Sequence, residues 1–181
     1  MTVPFSAWNR WWSGWGSSRT AGREGGRAAT FTPSGTSYQG YTTAAFTVGA
    51  GTHTVTFQRL DSAGGDNTAL IDAVAAAQAG APMVGDAGFE PPSVGTTGSW
   101  GSFAYDPTGT AWSLADGARI AANGSGFTAG NPPATEWSRR PFLQETGSFS
   151  QTVTGWAIGS YALTFLEGAW GERQPRRSRW Q

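Results

Sequence analysis

The residues best suited to chemistry in this sequence are aromatic rings followed by loops with polar side chains. A flat ring can stack on the apolar face of a sugar, while carboxylates and amides can bond its hydroxyl groups. The rings are Trp100, Tyr105, Trp112 and Trp156, and the polar loop residues are Asp106, Asn123 and Asn131. Because a β-sandwich core also needs large inward side chains, we assign Trp112 to the core. The residues that we predict to contact such a sugar are Trp100, Tyr105, Asp106, Asn123 and Asn131.

Groups suited to catalysis are sparse. The chain has one histidine, His53, and no cysteine, which excludes a disulfide framework, a thiolate metal site and a multi-histidine metal centre. His53 shares a strand face with Val55 and Phe57, which favours a structural role. No carboxylate pair stands in a recognisable glycosidase context, and motifs for a nucleophile elbow, phosphate loop or zinc helix are absent. We therefore expect no enzyme.

The charge is balanced overall but unevenly distributed. All 12 positive side chains are arginines, against 12 acidic residues. Residues 1–30 carry four arginines and one glutamate, residues 171–181 also carry four and one, and residues 31–170 carry four arginines and ten acids. The tryptophans and arginines of residues 1–29 could contact nucleic acid or a membrane interface, or could cover apolar surface at an edge. So few arginines form only a weak positive patch for binding phosphate groups, and we do not expect nucleic acid as a partner.

The composition is that of an all-β protein. It combines 27 glycines with abundant threonine, serine and aromatic residues and only 13% charged residues. No apolar run is long enough to span a bilayer. Residues 1–16 lack the apolar stretch of a secretory signal peptide, so we expect none in this chain.

Alternating residues and turn signals place the strands that must position the candidate site. We predict strands at Tyr41–Val48, His53–Arg59, Thr68–Val74, Trp100–Tyr105, Trp112–Leu114, Pro141–Gln144, Gly147–Val153 and Ser160–Leu166. Residues 121–134 are rich in glycine, asparagine and proline and form a predicted long loop. Asp61–Asn67 is a second loop, whose oxygen-bearing side chains suit either calcium or an ordinary turn.

The segment Gly65–Pro92 joins two parts of the chain. Residues 79–85 form the predicted junction in a single β-sandwich over residues 30–170, with residues 30–78 before it and 86–170 after it. We expect residues 1–29 to be an irregular end rich in tryptophan, arginine and glycine, with at most one strand or short turn. Residues 171–181 form a predicted basic tail.

The ordered strings on the two sides of the join carry a resemblance to a known family. GDAGFEPPSVGTTGSWGSFAYDPTGTAWSLADGARIAANGSGFTAG with FLQETGSFSQTVTGWAIGSYALTF resembles the first half of a galactose-binding-like jelly-roll module. TFTPSGTSYQGYTTAAFTVGAGTHTVTFQRLDSAGGDNTALIDAV resembles the second half, so the halves stand in reversed order. Three explanations stay open: a circularly permuted module, a fragment across two tandem modules, or frameshifted coding sequence at the ends and near Trp137.

The resemblance implies an antiparallel jelly-roll sandwich from a bacterial exported or cell-surface protein of the kind that bears sorting signals. It also implies a structural calcium ion held by Glu90, which matches an early acidic residue of the family, and by Asp72, which matches a late aspartate. A surface carboxylate pair is the alternative. We expect a non-catalytic carbohydrate-binding module, with a glycan or neighbouring surface modules as partners. The alternative is a structural or adhesive surface module that self-associates without a sugar.

Overall fold

The structure is a computed structural model, which describes residues 11–17, 27–33, 35–60, 68–134, 137–144 and 146–171, with residues 11–17 and 27 described by their backbone alone. These ranges contain β-strands and no helix. The strands are β1 (Trp11–Ser17), β2 (Arg27–Phe31), β3 (Gln39–Thr42), β4 (Phe46–Val48), β5 (Gly51–Arg59), β6 (Ala69–Ala77), β7 (Phe103–Tyr105), β8 (Ser113–Ala115), β9 (Ala118–Ala122), β10 (Arg139–Leu143), β11 (Ser148–Trp156) and β12 (Gly159–Ala169). In the described part of the chain, no helix is long and apolar enough to cross a membrane.

The strands form two antiparallel sheets. One has five strands in the order β2-β1-β5-β11-β8. The other has seven, in the order β3-β12-β6-β10-β9-β7, with β4 also paired to β12. The predicted all-β, antiparallel sandwich is therefore confirmed.

The core lies between the inner faces of the sheets. Alternation on β5 turns Val55 and Phe57 inward and leaves Thr54 and Thr56 on the outer face. The Phe57 ring stacks on Phe149 of β11, with centroids 4.9 Å apart, and meets Phe165 of β12 edge-on at 5.0 Å. Phe165 belongs to the seven-stranded sheet, so these rings join the two layers.

The sheets interleave strands from both sides of the join. β5, from residues 30–78, pairs with β11, and β6 lies between β10 and β12. The join packs onto this assembly through the amide of Gln151 on β11, which bonds both N and O of Gly85 at 2.8 Å. The core is thus shared by the two parts of the sequence.

The predicted strand Tyr41–Val48 is divided into β3 and β4, so the prediction of one continuous strand was wrong. Both pieces pair with β12, but Thr42 lies opposite Thr164 and Phe46 opposite Tyr161, so four steps on one strand match three on the other. The extra residue lies between β3 and β4, where Thr43 bonds Leu163 with its backbone N–H and its side-chain oxygen. One surplus residue displaces the chain like a β-bulge.

Strand β9 was not predicted, and the loop expected at residues 121–134 begins later than expected. All five residues of β9 are buried, because one face meets the core and the other is covered by aromatic residues. Burial on both faces removes the alternation that reveals a half-exposed strand.

The N-terminal end contains a strand, β1, where the sequence suggested mostly irregular structure. β1 pairs with both β2 and β5, placing Trp11 opposite Phe31 and Arg59. The glycines and tryptophans of β1 obscure the two-residue alternation that is typical of a strand. Pairing with β2 and β5 nevertheless holds this segment in a strand conformation.

Candidate functional site

An aromatic groove lies on the outer side of the seven-stranded sheet. It encloses about 370 Å³. Its lining is almost wholly aromatic or small: Trp100, Phe103, Gly126, Phe127, Ala129, Gly130 and Trp170. This volume lies within the range of small-ligand pockets.

Trp100 forms an exposed wall of the groove, with 63% of its surface accessible. The neighbouring loop leaves room for the ring because a Cβ on Gly126 would lie only 3.0 Å from its Cε2 atom. Gly126 N also donates to the Trp100 carbonyl at 2.8 Å, and Gly98 N donates to the Asn123 carbonyl at 2.7 Å. The Trp100 segment is therefore fastened to the loop that follows β9.

Stacked rings support the base of the groove. Phe127 packs edge-on against Phe103 at 4.8 Å and stacks on Phe142 at 4.4 Å between centroids. Phe142 is fully buried with Leu70 and Ala121 in a small second core on the outer face of the sheet. Phe103 and Phe127 thus rest on a packed layer, so the groove is held in shape without a ligand.

Asn131 lies beside the groove, but its amide serves the protein itself. Its Nδ2 donates to the carbonyls of Thr36 at 2.8 Å and Ala169 at 2.7 Å, and its Oδ1 accepts from Gly171 N at 3.0 Å. These bonds attach the loop to β12 and to the segment before β3. The structure gives Asn131 a positioning role.

Asn123 also bonds within the fold. Its Oδ1 accepts from Ala134 N at 3.0 Å, and its Nδ2 donates to the Trp137 carbonyl at 3.4 Å. The amide joins the start of the long loop to its end. Like Asn131, Asn123 shapes the loop beside the groove.

Tyr105 and Asp106 lie at the end of β7 and are both exposed. The Tyr105 ring packs against Phe103 at 5.7 Å, which links it to the groove lining. Its other contact is with Arg119, whose guanidinium carbon lies 3.9 Å from the ring centroid. Asp106 adopts a φ of 41° in the following turn. Neither residue lines the groove, but Tyr105 extends its aromatic surface.

The remaining rings belong to the core. Trp112 is 3% exposed and stacks on Phe89 at 5.0 Å, which confirms its predicted core position. Its Nε1 donates to the Asp86 carbonyl at 3.0 Å. Trp156 is also buried, against Tyr161.

The carboxylates predicted to hold calcium both have protein partners. Glu90 forms an ion pair with Arg139 at 3.0 Å, and Oδ1 of buried Asp72 accepts from Ala73 N at 2.8 Å. Among the described residues, no cluster of three or more histidine, cysteine, aspartate or glutamate side chains could hold a metal ion. The loop Asp61–Asn67, the other calcium candidate, lies outside the described residues.

Sequence reasoning missed Phe103, Phe127 and Trp170 as groove residues. They come from β7, the long loop and the residue after β12, so only the folded sheet brings them together. One signal was available: Phe127 is the lone large apolar residue in a loop of small and polar residues. Such a side chain needs an apolar partner.

Comparisons of this chain with protein-family models, curated proteins and solved structures found no match.

Proposed function

We propose that this protein is a non-catalytic binding module that holds a glycan in the aromatic groove. The observation that carries the proposal is the exposed ring of Trp100 above a preformed apolar groove. An indole ring can cover the apolar face of a sugar, and a rigid loop lowers the entropy cost of binding. The resemblance to galactose-binding-like modules supports the same ligand class and a location outside the cell or on its surface.

The polar contacts in this proposal come from the end of β7. Tyr105 and Asp106 are both exposed, and the Tyr105 ring packs against Phe103 of the groove. They can bond hydroxyl groups of a sugar that extends beyond the groove. Asn123 and Asn131 act indirectly by holding the loop.

A glycan array followed by calorimetric titration of the best ligand tests this function. We expect saturable binding that weakens about tenfold or more in Trp100→Ala, which corresponds to roughly 1.4 kcal/mol. Trp137→Ala is the matched control, because Trp137 is 44% exposed but does not line the groove. Absence of saturable binding across the array, or equal losses in the two variants, would contradict the proposal.

A second candidate is a structural or adhesive module that self-associates. Exposed apolar side chains favour it: Met83 is 88% exposed and Ile158 is 83% exposed. Ile158 precedes β12 and Trp170 follows it, so the Ile158 turn and the groove lie at opposite ends of one strand. This arrangement suits contacts between successive copies.

Sedimentation at increasing concentration separates the two functions. Self-association predicts larger species that Ile158→Ser reduces, with no sugar required. Glycan binding alone predicts a constant sedimentation coefficient.

A further inference from the structure

The carboxylate of Glu90 uses all of its acceptor positions within the protein. Oε1 accepts from the backbone nitrogens of Ser138 at 2.6 Å and Arg139 at 2.8 Å. Oε2 accepts from Ser138 Oγ at 2.8 Å and Arg139 Nη1 at 3.0 Å. A carboxylate offers about four acceptor sites. No lone pair of Glu90 remains for a metal ion.

Arg139 holds the backbone at this point as well as the carboxylate. Its Nη1 also donates to the Glu90 carbonyl at 2.9 Å, and its Nη2 lies 3.4 Å from Ser93 Oγ. The guanidinium thus fastens the end of the join to β10. An ion pair with several hydrogen bonds is stronger than a simple surface pair.

Arg140, the next residue, lies with Asp72 on the seven-stranded sheet. Phe142 and Leu143 of β10 face Leu70 and Ala69 of β6. Continuing this antiparallel register by two residues brings Arg140 opposite Asp72. Arg140 is fully buried, and Asp72 is 1% exposed. Two such deeply buried charges need opposite charge nearby.

Tyr38 joins this buried pair. Arg140 Nη1 donates to the Tyr38 hydroxyl, and its guanidinium carbon lies 5.0 Å from the centroid of the Tyr38 ring. Burial raises the pKa of Tyr38, Arg140 lowers that pKa, and the negative charge of Asp72 raises it. Tyr38 thus holds Arg140 on the face of the sheet that also carries Asp72.

We infer that Arg139 and Arg140 supply the positive charge that a calcium ion would bring to Glu90 and Asp72. Neighbouring residues of a strand point to opposite faces, so two successive guanidiniums can reach carboxylates in two places. Arg139 binds the Glu90 carboxylate directly, near the end of the join. Arg140 donates to Tyr38 and lies opposite Asp72 in the register of the sheet, so it offsets the charge of Asp72 without a direct bond to that carboxylate. The donors around Glu90 do not fit a calcium ion. We call the bonds of Glu90 to Ser138 and Arg139, together with Arg140 opposite Asp72, the arginine clamp.

Thermal unfolding of the whole chain in calcium chloride and in chelator tests the clamp. We expect the same melting temperature in both. A calcium-induced rise that disappears in both Glu90→Gln and Asp72→Asn would overturn the inference. A rise that persists in both variants would place the ion elsewhere and leave the clamp intact.

A double-mutant comparison tests which arginine serves which carboxylate. We expect Glu90→Gln and Arg139→Gln each to lower the melting temperature by several degrees, and the double variant to fall by less than the sum. Asp72→Asn and Arg140→Met should couple in the same way. The crossed pair Glu90→Gln with Arg140→Met should be additive. Additivity of Glu90→Gln with Arg139→Gln would overturn the clamp even if the Arg140 variant fails to fold.

Discussion

Gly130 and Gly171 meet backbone to backbone, so that a Cβ on Gly130 would overlap the Gly171 carbonyl oxygen. This contact brings the long loop against the residue that follows Trp170, and both Gly130 and Trp170 line the groove. The width of the groove therefore depends on a contact that only two glycines permit.

Replacing Gly130 tests that dependence. We expect Gly130→Ala to destabilise the fold by about 1–3 kcal/mol, because the added methyl group must push the two backbones apart. Urea unfolding measures the change. Gly40→Ala is the control, since a Cβ there meets no atom within 4 Å. Equal free energies of unfolding for Gly130→Ala and Gly40→Ala would contradict this prediction, because the loop would then move aside without an energetic cost.

Removing the Asn131 amide should also loosen the groove. Asn131→Ala leaves two carbonyls and one N–H without their partner, for an expected loss of about 2–4 kcal/mol. Thr108→Ala, at an exposed position, should change the free energy of unfolding by less than about 0.5 kcal/mol. Urea unfolding compares the two, and a wild-type-like Asn131→Ala would contradict the positioning role.

Glu167 should make stability depend on pH. Burial raises its pKa above the ordinary glutamate value. The folded state then binds the proton more tightly than the unfolded state, so this contribution is complete at low pH and is lost as pH rises through the raised pKa. We expect Glu167→Gln to gain stability over the wild type as pH rises from about 4 to about 8. A constant difference across urea titrations at several pH values would refute this assignment.

The two parts of the sequence should unfold together. β5 pairs with β11, and β6 lies between β10 and β12; all three of these partners come from residues 86–170. Gln151 also bonds Gly85 of the join to β11. Neither part can keep its core without the other. Far-ultraviolet circular dichroism and tryptophan fluorescence should therefore give coincident transitions. Separate transitions would contradict a single cooperative core shared by the two parts.

Local patterns predicted the central strands better than the site. β5, β11 and β12 alternate over most of their length because one face of each meets the core, and Trp112 was assigned correctly to that core. β9 was not predicted because both of its faces are buried, so its sequence lacks the alternation of polar and apolar residues. The amide of Asn131 looked equally suited to a ligand or to backbone groups, and only the fold shows that its partners are Thr36, Ala169 and Gly171.

The position of Asn123 in the sequence bears on the chemical stability of the loop as well as on its shape. Gly124 follows it directly, and an asparagine before glycine is the sequence most prone to deamidation, since no side chain shields the next backbone nitrogen. Attack of the Gly124 nitrogen on the side-chain carbonyl would release ammonia, and water would open the resulting ring to aspartate or isoaspartate. Either product would exchange the Nδ2 donor to Trp137 for a charged acceptor. Aged samples would then hold two populations that differ by one charge, and the older molecules would have a looser loop beside the groove.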